Sequence, residues 1–172
     1  MRNLAFASVF AAFAVSGCFE SNDPSPSGST EQSSNRIAQV PRAHSSESTY
    51  SFDDTLRRLY EALDRRDLTV FAVVDHAAGA AAAGLEMPPS TVVIFGAATI
   101  GTPLMIAEPQ MSLELPLRAA VYEDADGTVH FSIVSMSALQ HAYENLEEQR
   151  MRMNGIQNNL SALEAEVTGT ES

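Results

Sequence analysis

The stretch that decides the fold is residues 87–127, MPPSTVVIFGAATIGTPLMIAEPQMSLELPLRAAVYEDADG. Near its start, residues 90–97 read STVVIFGA, a run rich in β-branched residues that follows a Pro pair and contains one Gly. This composition predicts a strand. Because the run is apolar on both faces, we expect the strand in the middle of a sheet and not at its edge.

Two prolines in the same stretch delimit a predicted helix. Thr102 is followed by Pro103, a pair typical of a helix start, because Thr can cap the first turn and Pro is tolerated at the first helical position. Pro109 is expected to end this helix. The sequence therefore predicts a short helix soon after the central strand.

The end of the stretch predicts a β-hairpin built from residues 115–123 and 128–135. The intervening residues DADG favour a three-residue loop with Gly127 in the left-handed conformation. Val121 then faces Phe131, and the apolar residues of both strands share one face. The opposite face receives the polar side chains Arg118, Tyr122 and His130.

Upstream segments supply two more strands and two more helices. Residues 48–52 predict a short first strand, and residues 53–66 predict a helix with leucines at helical spacing. Residues 68–74 predict a second strand that is buried on both faces. The small-residue run AAGAAAAG follows, and we expect Asp75 to cap the helix that it forms.

A heptad pattern predicts a long helix that begins at Met136. Such spacing gives a helix one continuous apolar stripe. We expect the first half to pack on the sheet, whereas the second half either pairs with another subunit or frays, because Asn154 and Gly155 weaken the helix midway. The repeating residues are Leu139, Leu146, Met153, Leu160 and Val167.

These elements predict an α+β fold, a two-layer sandwich in which helices pack on a mixed sheet of about five strands, with an extended C-terminal helix. The predicted boundaries are a signal peptide over residues 1–18, a disordered tether over 19–48, the α+β domain over 49–153 and a helical extension or tail over 154–172. The tether is assigned from its richness in Ser, Asn, Pro and Gln, which buries too little apolar surface to fold.

The first eighteen residues have the pattern of a targeting segment. Arg2 precedes an apolar run over residues 4–15 that is too short to cross a bilayer. The run ends in VSGC, which resembles the lipobox of bacterial lipoproteins and implies cleavage before Cys18 and its acylation, with palmitate among the attached chains. Since Asp does not follow Cys18, the resemblance implies an outer-membrane lipoprotein that faces the periplasm if the bacterium is Gram-negative. A plain secretory signal with a free thiol is the alternative.

Composition excludes several classes of partner and of chemistry. The formal net charge is −12 and all ten basic residues are Arg, so the sequence lacks the basic clusters that bind nucleic acid. Cys18 is the sole cysteine, which excludes an internal disulfide and a cysteine metal site. No Ser stands in a G-x-S-x-G elbow. We therefore name no catalytic residue and assign no cofactor.

The order and spacing of short motifs between residues 50 and 133 resemble a known bacterial family. The motifs are FDD at 52–54, VDH at 74–76, GLEMP at 84–88, FG at 95–96, GTPL at 101–104, LPLR at 115–118, ED at 123–124 and DG at 126–127. They resemble the family known as domain of unknown function 302. The resemblance implies a compact two-layer α+β domain, often a homodimer, with no established activity.

The chain departs from the pattern of that family at two places. Ala97 and Ala98 stand where the family usually has Asn-Pro after Phe-Gly. Residues 134–136, VSM, stand where the family tends to have Tyr and an Asp-Pro pair. If those polar groups serve a function in relatives, we expect it to be altered or absent here.

His76 is the most interesting titratable residue, because it falls between a predicted strand and a predicted helix. Strand ends of α/β-type sheets often carry ligands. A helix N-terminus disfavours the imidazolium, and the neutral imidazole is the form that binds metal or acts as a base. The alternative is a histidine that caps the helix or is hydrogen-bonded at the edge of the domain.

A second candidate is the turn over residues 96–103, whose backbone N–H groups could bind an anion at a helix start. It lacks the Lys and the spacing of a phosphate loop, so a tight structural turn is the alternative. Arg118 with His130 and Tyr122 could bind a small anion, or form a solvated face or a dimer interface. The candidate ligand-binding residues are His76, Phe95, Gly96, Gly101, Thr102 and Arg118.

Three functions are consistent with these residues. We favour a non-catalytic, lipid-anchored envelope domain that binds a small ligand or a protein partner, as a homodimer. The second is a metal-handling protein or an enzyme that uses His76 near the turn over residues 96–102. The third is a structural protein that assembles through its C-terminal helix.

Overall fold

The computed structural model describes residues 42–170. The predicted α+β class and the predicted C-terminal helix are confirmed. Cys18, the predicted signal peptide and most of the predicted tether lie outside the described residues. In chain order the elements are β1 (Ala43–Glu47), α1 (Phe52–Asp64), β2 (Thr69–Asp75), α2 (His76–Ala82), β3 (Ser90–Gly96), α3 (Ala98–Ala107), a 3-10 helix (Pro109–Leu113), β4 (Leu117–Glu123), β5 (Val129–Val134), α4 (Met136–Ala142), a second 3-10 helix (Glu144–Gln149) and α5 (Arg150–Thr168).

The five strands form one sheet in the order β1-β5-β4-β3-β2. Every pairing within residues 42–170 is antiparallel, so the expectation of a mixed sheet is wrong. Two parallel neighbours need a connection that returns the chain to the end of the sheet where the first strand began. Here α2 and α3 each join the end of one strand to the nearby start of an adjacent strand that runs the opposite way. The last strand, β5, then pairs with β1 from the start of the domain.

The hairpin of β4 and β5 has the predicted register. Val121 pairs with Phe131, Ala119 pairs with Ile133, and all four residues are buried. Gly127 has a φ of 80°, as the predicted loop requires. The side chains that alternate with these residues form the opposite, more exposed face of the sheet.

The first strand lies earlier than predicted. Residues 43–47 form β1, whereas residues 48–51 form a loop that leads into α1, so the folded domain includes residues 43–48, which the sequence pattern assigned to the tether. The sequence AHSSE has little apolar alternation, and β1 is held by its backbone pairing with β5. Ser51 caps α1 by accepting the N–H of Asp54 at 3.3 Å.

The second strand forms where it was predicted, but the expectation that it is buried on both faces is wrong. β2 is the outer strand of the sheet, and all seven of its residues are exposed. The exposed fractions of Phe71 and Val73 are 57% and 48%. The short helix α2 has no buried residue, so it leaves both faces of β2 largely uncovered.

The helix after β3 begins five residues before the predicted first helical position. α3 runs from Ala98, and Pro103 lies inside it, although the sequence pattern placed Pro103 at the first helical position. No described side chain caps the first turn of α3. The N-cap residue is Ala97, whose side chain has no hydrogen-bond acceptor, so the sequence did not indicate this helix start. The helix ends before Pro109, as predicted.

The C-terminal heptad pattern identifies buried residues correctly, but the segment that carries it does not form one continuous helix. All five residues at heptad spacing are at most 4% exposed, yet they lie on α4, the second 3-10 helix and α5. The chain leaves the helical conformation at Tyr143, where φ is −126° and ψ is 114°. No helix within residues 42–170 is long and apolar enough to span a bilayer.

Helix α5 belongs to the core of the domain, which corrects the prediction of an extension or tail over residues 154–172. It packs against α1, α4 and β5. The Arg58 guanidinium of α1 donates to the backbone carbonyl groups of Glu166 and Val167 at 2.6 and 3.3 Å. Leu160, Leu163 and Val167 are buried in the same apolar cluster as the inner face of the sheet.

We expect Gly155→Ala to stabilise the domain by about 0.5–1 kcal/mol, because Gly costs this much relative to Ala in a helix interior. No atom lies within 4 Å of the added methyl group. Gly169→Ala is the matched control and should destabilise by at least about 1 kcal/mol, because a left-handed backbone disfavours Ala. Gly169 has a φ of 73°, and its added Cβ would lie 2.6 Å from Thr49 Oγ1. Urea unfolding measures both, and equal effects of the two variants would contradict this account.

Candidate functional site

A cavity of about 460 Å³ lies where the end of β3 meets α3 and α5, and we call it the Phe95 cavity. Its floor is apolar and buried. Its rim includes exposed residues of α3, β2 and α5. The lining residues are Arg66, Leu68, Phe71, Phe95, Gly96, Ala97, Ala98, Ile100, Gly101, Thr102, Leu104, Met105, Leu115, Pro116, Leu117, Met136, Ile156, Asn159 and Leu160.

Small residues at the start of α3 keep the Phe95 cavity open. The sequence GAATIG over residues 96–101 places few bulky side chains between the strand and the helix. A Cβ on Gly101 would lie 3.3 Å from Leu115 Cδ1 and 3.9 Å from Met105 Cε, two side chains that line the cavity. Any longer side chain at position 101 would therefore take up space that the cavity now provides.

An irregularity in β2 brings Phe71 to the rim. The pairing between β2 and β3 shifts between Val70 and Ala72, which leaves Phe71 as the extra residue of a bulge. The Phe71 ring lies over Gly96, because a Cβ on Gly96 would be 3.7 Å from Phe71 Cε2. An exposed aromatic ring therefore stands beside an apolar cavity.

The polar side chains of the lining are few. They belong to Arg66, Thr102 and Asn159. The Arg66 guanidinium donates to the carbonyl of Ala62 at 2.9 Å and pairs with the carboxylate of Glu166 at 2.7 Å. Glu166 also pairs with Arg65. Three-quarters of the Arg66 side chain is shielded from solvent.

Two opposing effects act on the carboxyl group of Glu166. Burial raises its pKa, whereas the hydrogen bonds and charges of Arg65 and Arg66 lower it, and the net pKa lies below its usual range. Glu166 therefore carries a negative charge at neutral pH. That charge joins the end of α1 to α5 beside the cavity.

The structure brings together four of the residues proposed from the sequence. Phe95, Gly96, Gly101 and Thr102 all line the Phe95 cavity. His76 and Arg118 do not, although both were grouped with them from the sequence. The turn after β3 thus forms a wall of an apolar cavity, in addition to the start of a helix.

His76 lies at the other end of the sheet from the cavity. It follows Asp75, which pairs with Thr91, five residues before Gly96 on β3. Five residues of strand span about 17 Å, so the expectation that His76 lies near the turn over residues 96–102 is not met. The physical reason is that β2 and β3 are antiparallel, which puts the end of one beside the start of the other. Asp75, and not His76, caps α2, since its Oδ1 accepts the N–H of Ala78 at 2.9 Å.

Arg118 lies on the opposite face of the sheet, in a polar network with Glu114. Its guanidinium is 3.8 Å from Glu114 Oε2. The hydroxyl of Tyr143 donates to Glu114 Oε1 at 3.0 Å, and Arg42 approaches the same oxygen at 3.5 Å. Burial, together with the hydrogen bond to Glu114, raises the pKa of Tyr143. Glu114 thus contacts both Arg42 and Arg118 from within the domain.

His130 is bound into the turn of the hairpin. Its Nε2 lies 2.8 Å from Asp124 Oδ2, and its ring stacks on Tyr122 with centroids 5.2 Å apart. The hydrogen bond with His130, followed by that from the Thr128 N–H, holds the pKa of Asp124 below its usual range. His76, Arg118 and His130 therefore occupy three separate places and do not converge on one cleft. Within residues 42–170, no group of three or more His, Cys, Asp or Glu side chains is arranged to hold a metal ion.

Sequence reasoning missed most of the cavity. Arg66 lies between α1 and β2 and Phe71 lies on β2, whereas Met136, Ile156 and Leu160 come from the last third of the chain. The small residues before Thr102 were the available signal for an open space, but the pattern does not show which distant side chains enclose it.

Comparison with known proteins identifies a family and its fold. A family model described as "Domain of unknown function DUF302" matches residues 44–166, from β1 to α5. The crystal structure of an uncharacterized conserved DUF302 protein from Bacillus stearothermophilus matches with a TM-score of 0.67 at 16% identity, over 74% of this chain and 99% of that chain. Both agree with the resemblance found in the sequence.

Curated relatives match a shorter part of the chain. The fluoride-specific ion channel FluC 1 of Brucella suis biovar 1 (strain 1330) is 39% identical over 87 residues, which is 51% of this chain and 34% of the relative. The fluoride-specific ion channel FluC 2 of Brucella melitensis biotype 1 is also 39% identical over 87 residues, which is 32% of its length. The chain thus spans about a third of the length of these relatives.

Proposed function

This chain belongs to the DUF302 family, whose description assigns it no activity, and we propose a function from the chain's own cavity. The protein is a non-catalytic, lipid-anchored envelope module that binds a small apolar ligand in the Phe95 cavity. The observation that supports this proposal is the cavity itself, whose lining is apolar except for three polar side chains. Ligand sites usually combine an apolar lining with a few polar groups in this way.

The size of the cavity suits a ligand of moderate length. Its volume of about 460 Å³ lies within the range of roughly 300–1,000 Å³ for small-molecule sites. It is about three times the engineered cavity of ~150 Å³ that stays dry and binds benzene.

The partly buried lining of the cavity would supply most of the binding free energy. Leu68, Met105, Leu115 and Ile156 line the cavity and are only partly buried, so they present apolar surface to a ligand. Each CH₂ group of a ligand that moves from water to such a surface contributes about 0.8 kcal/mol. The exposed rim at Phe71, Ile100 and Thr102 gives a ligand access from solvent.

The enzyme or metal-handling alternative has less support. It required His76 beside the turn over residues 96–102, and the antiparallel pairing of β2 with β3 separates them by about 17 Å. The other titratable candidates, Arg118 and His130, are each paired with a carboxylate of the domain itself. The relatives named as fluoride channels extend far beyond the matched region, and we do not transfer their function to this chain.

Filling the cavity should abolish ligand binding. We expect Gly101→Leu to weaken binding of N-phenyl-1-naphthylamine, an uncharged apolar fluorophore, at least tenfold in a titration with residues 19–172, which retain every described element. The Leu side chain extends toward Leu115 and Met105 and occupies the cavity.

Gly79→Leu is the control for that titration, because Gly79 is also helical and no atom lies within 4 Å of its added Cβ. It should bind the fluorophore as the parent chain does. Equal affinities for Gly101→Leu and the parent, or no binding to the parent, would contradict the proposed function.

We also propose that Cys18 carries the acyl chains that hold the protein at the envelope, with the outer membrane as its location in a Gram-negative bacterium. The support is the position of the sole cysteine directly after a short apolar run and two small residues. Two or more acyl chains give stable anchoring, whereas one is marginal. In cells fed labelled palmitate, the parent should take up the label and sediment with membranes. Equal labelling of Cys18→Ser, or no label in the parent, would contradict this anchor.

The exposed edge of the sheet supports a homodimer. β2 has an unpaired outer edge within the described residues, and its segment TVFAVV carries no charge. Natural sheets usually protect such an edge with charged residues. Two copies of an edge strand can pair antiparallel about a two-fold axis, which makes a second copy of this chain the fitting partner.

A charge on that edge should separate the two copies. Val74 is 40% exposed on β2, and we expect Val74→Lys to give a monomer in sedimentation velocity, because both copies would bring a lysine to one apolar interface. The matched control Ile106→Lys changes a residue on α3 that is 77% exposed and should remain a dimer. A monomeric parent, or dimers in all three proteins, would contradict the β2 interface.

A further inference from the structure

We infer that the ligand of the Phe95 cavity is a single-chain amphiphile with an anionic head, such as a long-chain carboxylate. This inference depends on the proposed function and specifies its ligand class. It is drawn from the distribution of charge around the cavity, the pairing of Arg66, the position of α3, and the volume and lining of the space.

The cavity lacks the negative charge that dominates the rest of the chain. The chain has 22 acidic and ten basic residues, yet none of the nineteen residues that line the cavity is acidic, and one is Arg66. A carboxylate on a ligand therefore meets the cation Arg66, whose partner Glu166 lies beside the cavity and is also paired with Arg65. A cationic head would gain no such partner.

Arg66 can accept a second anion without breaking the structure around it. Glu166 is shared between Arg65 and Arg66, so two guanidinium groups face one carboxylate. If Arg66 turned to the head of a ligand, Glu166 would keep Arg65 as its partner. Because a guanidinium presents several N–H donors in one plane, it binds a carboxylate through two hydrogen bonds.

The start of α3 adds positive electrostatic potential to the same cavity. Ala97 and Ala98 belong to the lining, and no described side chain caps the first turn of this helix. The N-terminus of a helix carries a partial positive charge. This effect supports the charge of Arg66 and would not define a site by itself.

The volume of the cavity suits a single chain. A cavity about three times the ~150 Å³ site that holds benzene, a six-carbon ligand, corresponds to roughly eighteen carbons. A molecule with a single acyl chain therefore fits this space. The apolar side chains that would contact the chain are the partly buried ones of the lining, Leu68, Met105, Leu115 and Ile156.

Head-group selectivity tests this inference directly. With N-phenyl-1-naphthylamine bound to residues 19–172, dodecanoate should displace the fluorophore at concentrations at least tenfold lower than 1-dodecanol or dodecyltrimethylammonium. Dodecyl phosphate should also displace the fluorophore better than the uncharged and cationic compounds, because a guanidinium binds phosphate as well as carboxylate through paired hydrogen bonds. Equal displacement by the four compounds, or preference for the uncharged or the cationic head, would overturn the inference while the proposed function stands. If the fluorophore does not bind the parent chain, the proposed function itself fails.

Variants of Arg66 identify the source of the selectivity. Arg66→Gln should still bind the fluorophore but lose the advantage of dodecanoate over 1-dodecanol, and Arg66→Lys should retain part of it. Arg57→Gln is the matched control, because Arg57 lies on the exposed surface of α1 with Asp54 and Glu61 as its partners. Unchanged selectivity in Arg66→Gln, or an equal loss in Arg57→Gln, would overturn the role of Arg66. If Arg66→Gln does not fold, the head-group comparison in the parent chain still decides the inference.

Discussion

The structure depends on the packing of α5 across the inner face of the sheet. Leu160, Leu163 and Val167 of this helix join the apolar face of β3, β4 and β5 in one buried cluster, and Arg58 and Glu166 connect its C-terminal end to α1. Farther toward its start, α5 meets the end of β3, where the small residues before Thr102 leave room between helix and strand. The same packing therefore creates both the core and the Phe95 cavity, and Leu160 belongs to each.

Part of this arrangement could be predicted from the sequence, because it depends on local patterns. The hairpin register follows from alternation alone, since a shift of one residue would mix apolar and polar faces. The buried heptad residues follow from their spacing, although the break at Tyr143 does not. β1 could not be predicted as a strand, because its backbone pairing with β5 carries no side-chain signal. The burial of β2 was misjudged, since an apolar segment does not reveal that its strand lies at the edge of the sheet.

In the candidate site, too, the residues that are close in sequence could be predicted, whereas those brought in by tertiary packing could not. Phe95, Gly96, Gly101 and Thr102 were found because they are close in sequence, and they line one cavity. His76 was grouped with them by analogy with parallel sheets, and the antiparallel direction of β2 separates it from them. Arg66, Phe71 and Leu160 reach the cavity only through tertiary packing. The family match over residues 44–166 establishes the fold, whereas the proposed ligand depends on the cavity of this chain.

The most direct test of the central claim is native mass spectrometry of the protein purified from its own envelope. The account predicts that the parent chain carries one small organic molecule per subunit, released as an acid on lipid extraction, and that Gly101→Leu prepared in the same way carries none. Identical masses for the two proteins, after correction for the substitution, would contradict the claim that the Phe95 cavity holds a ligand.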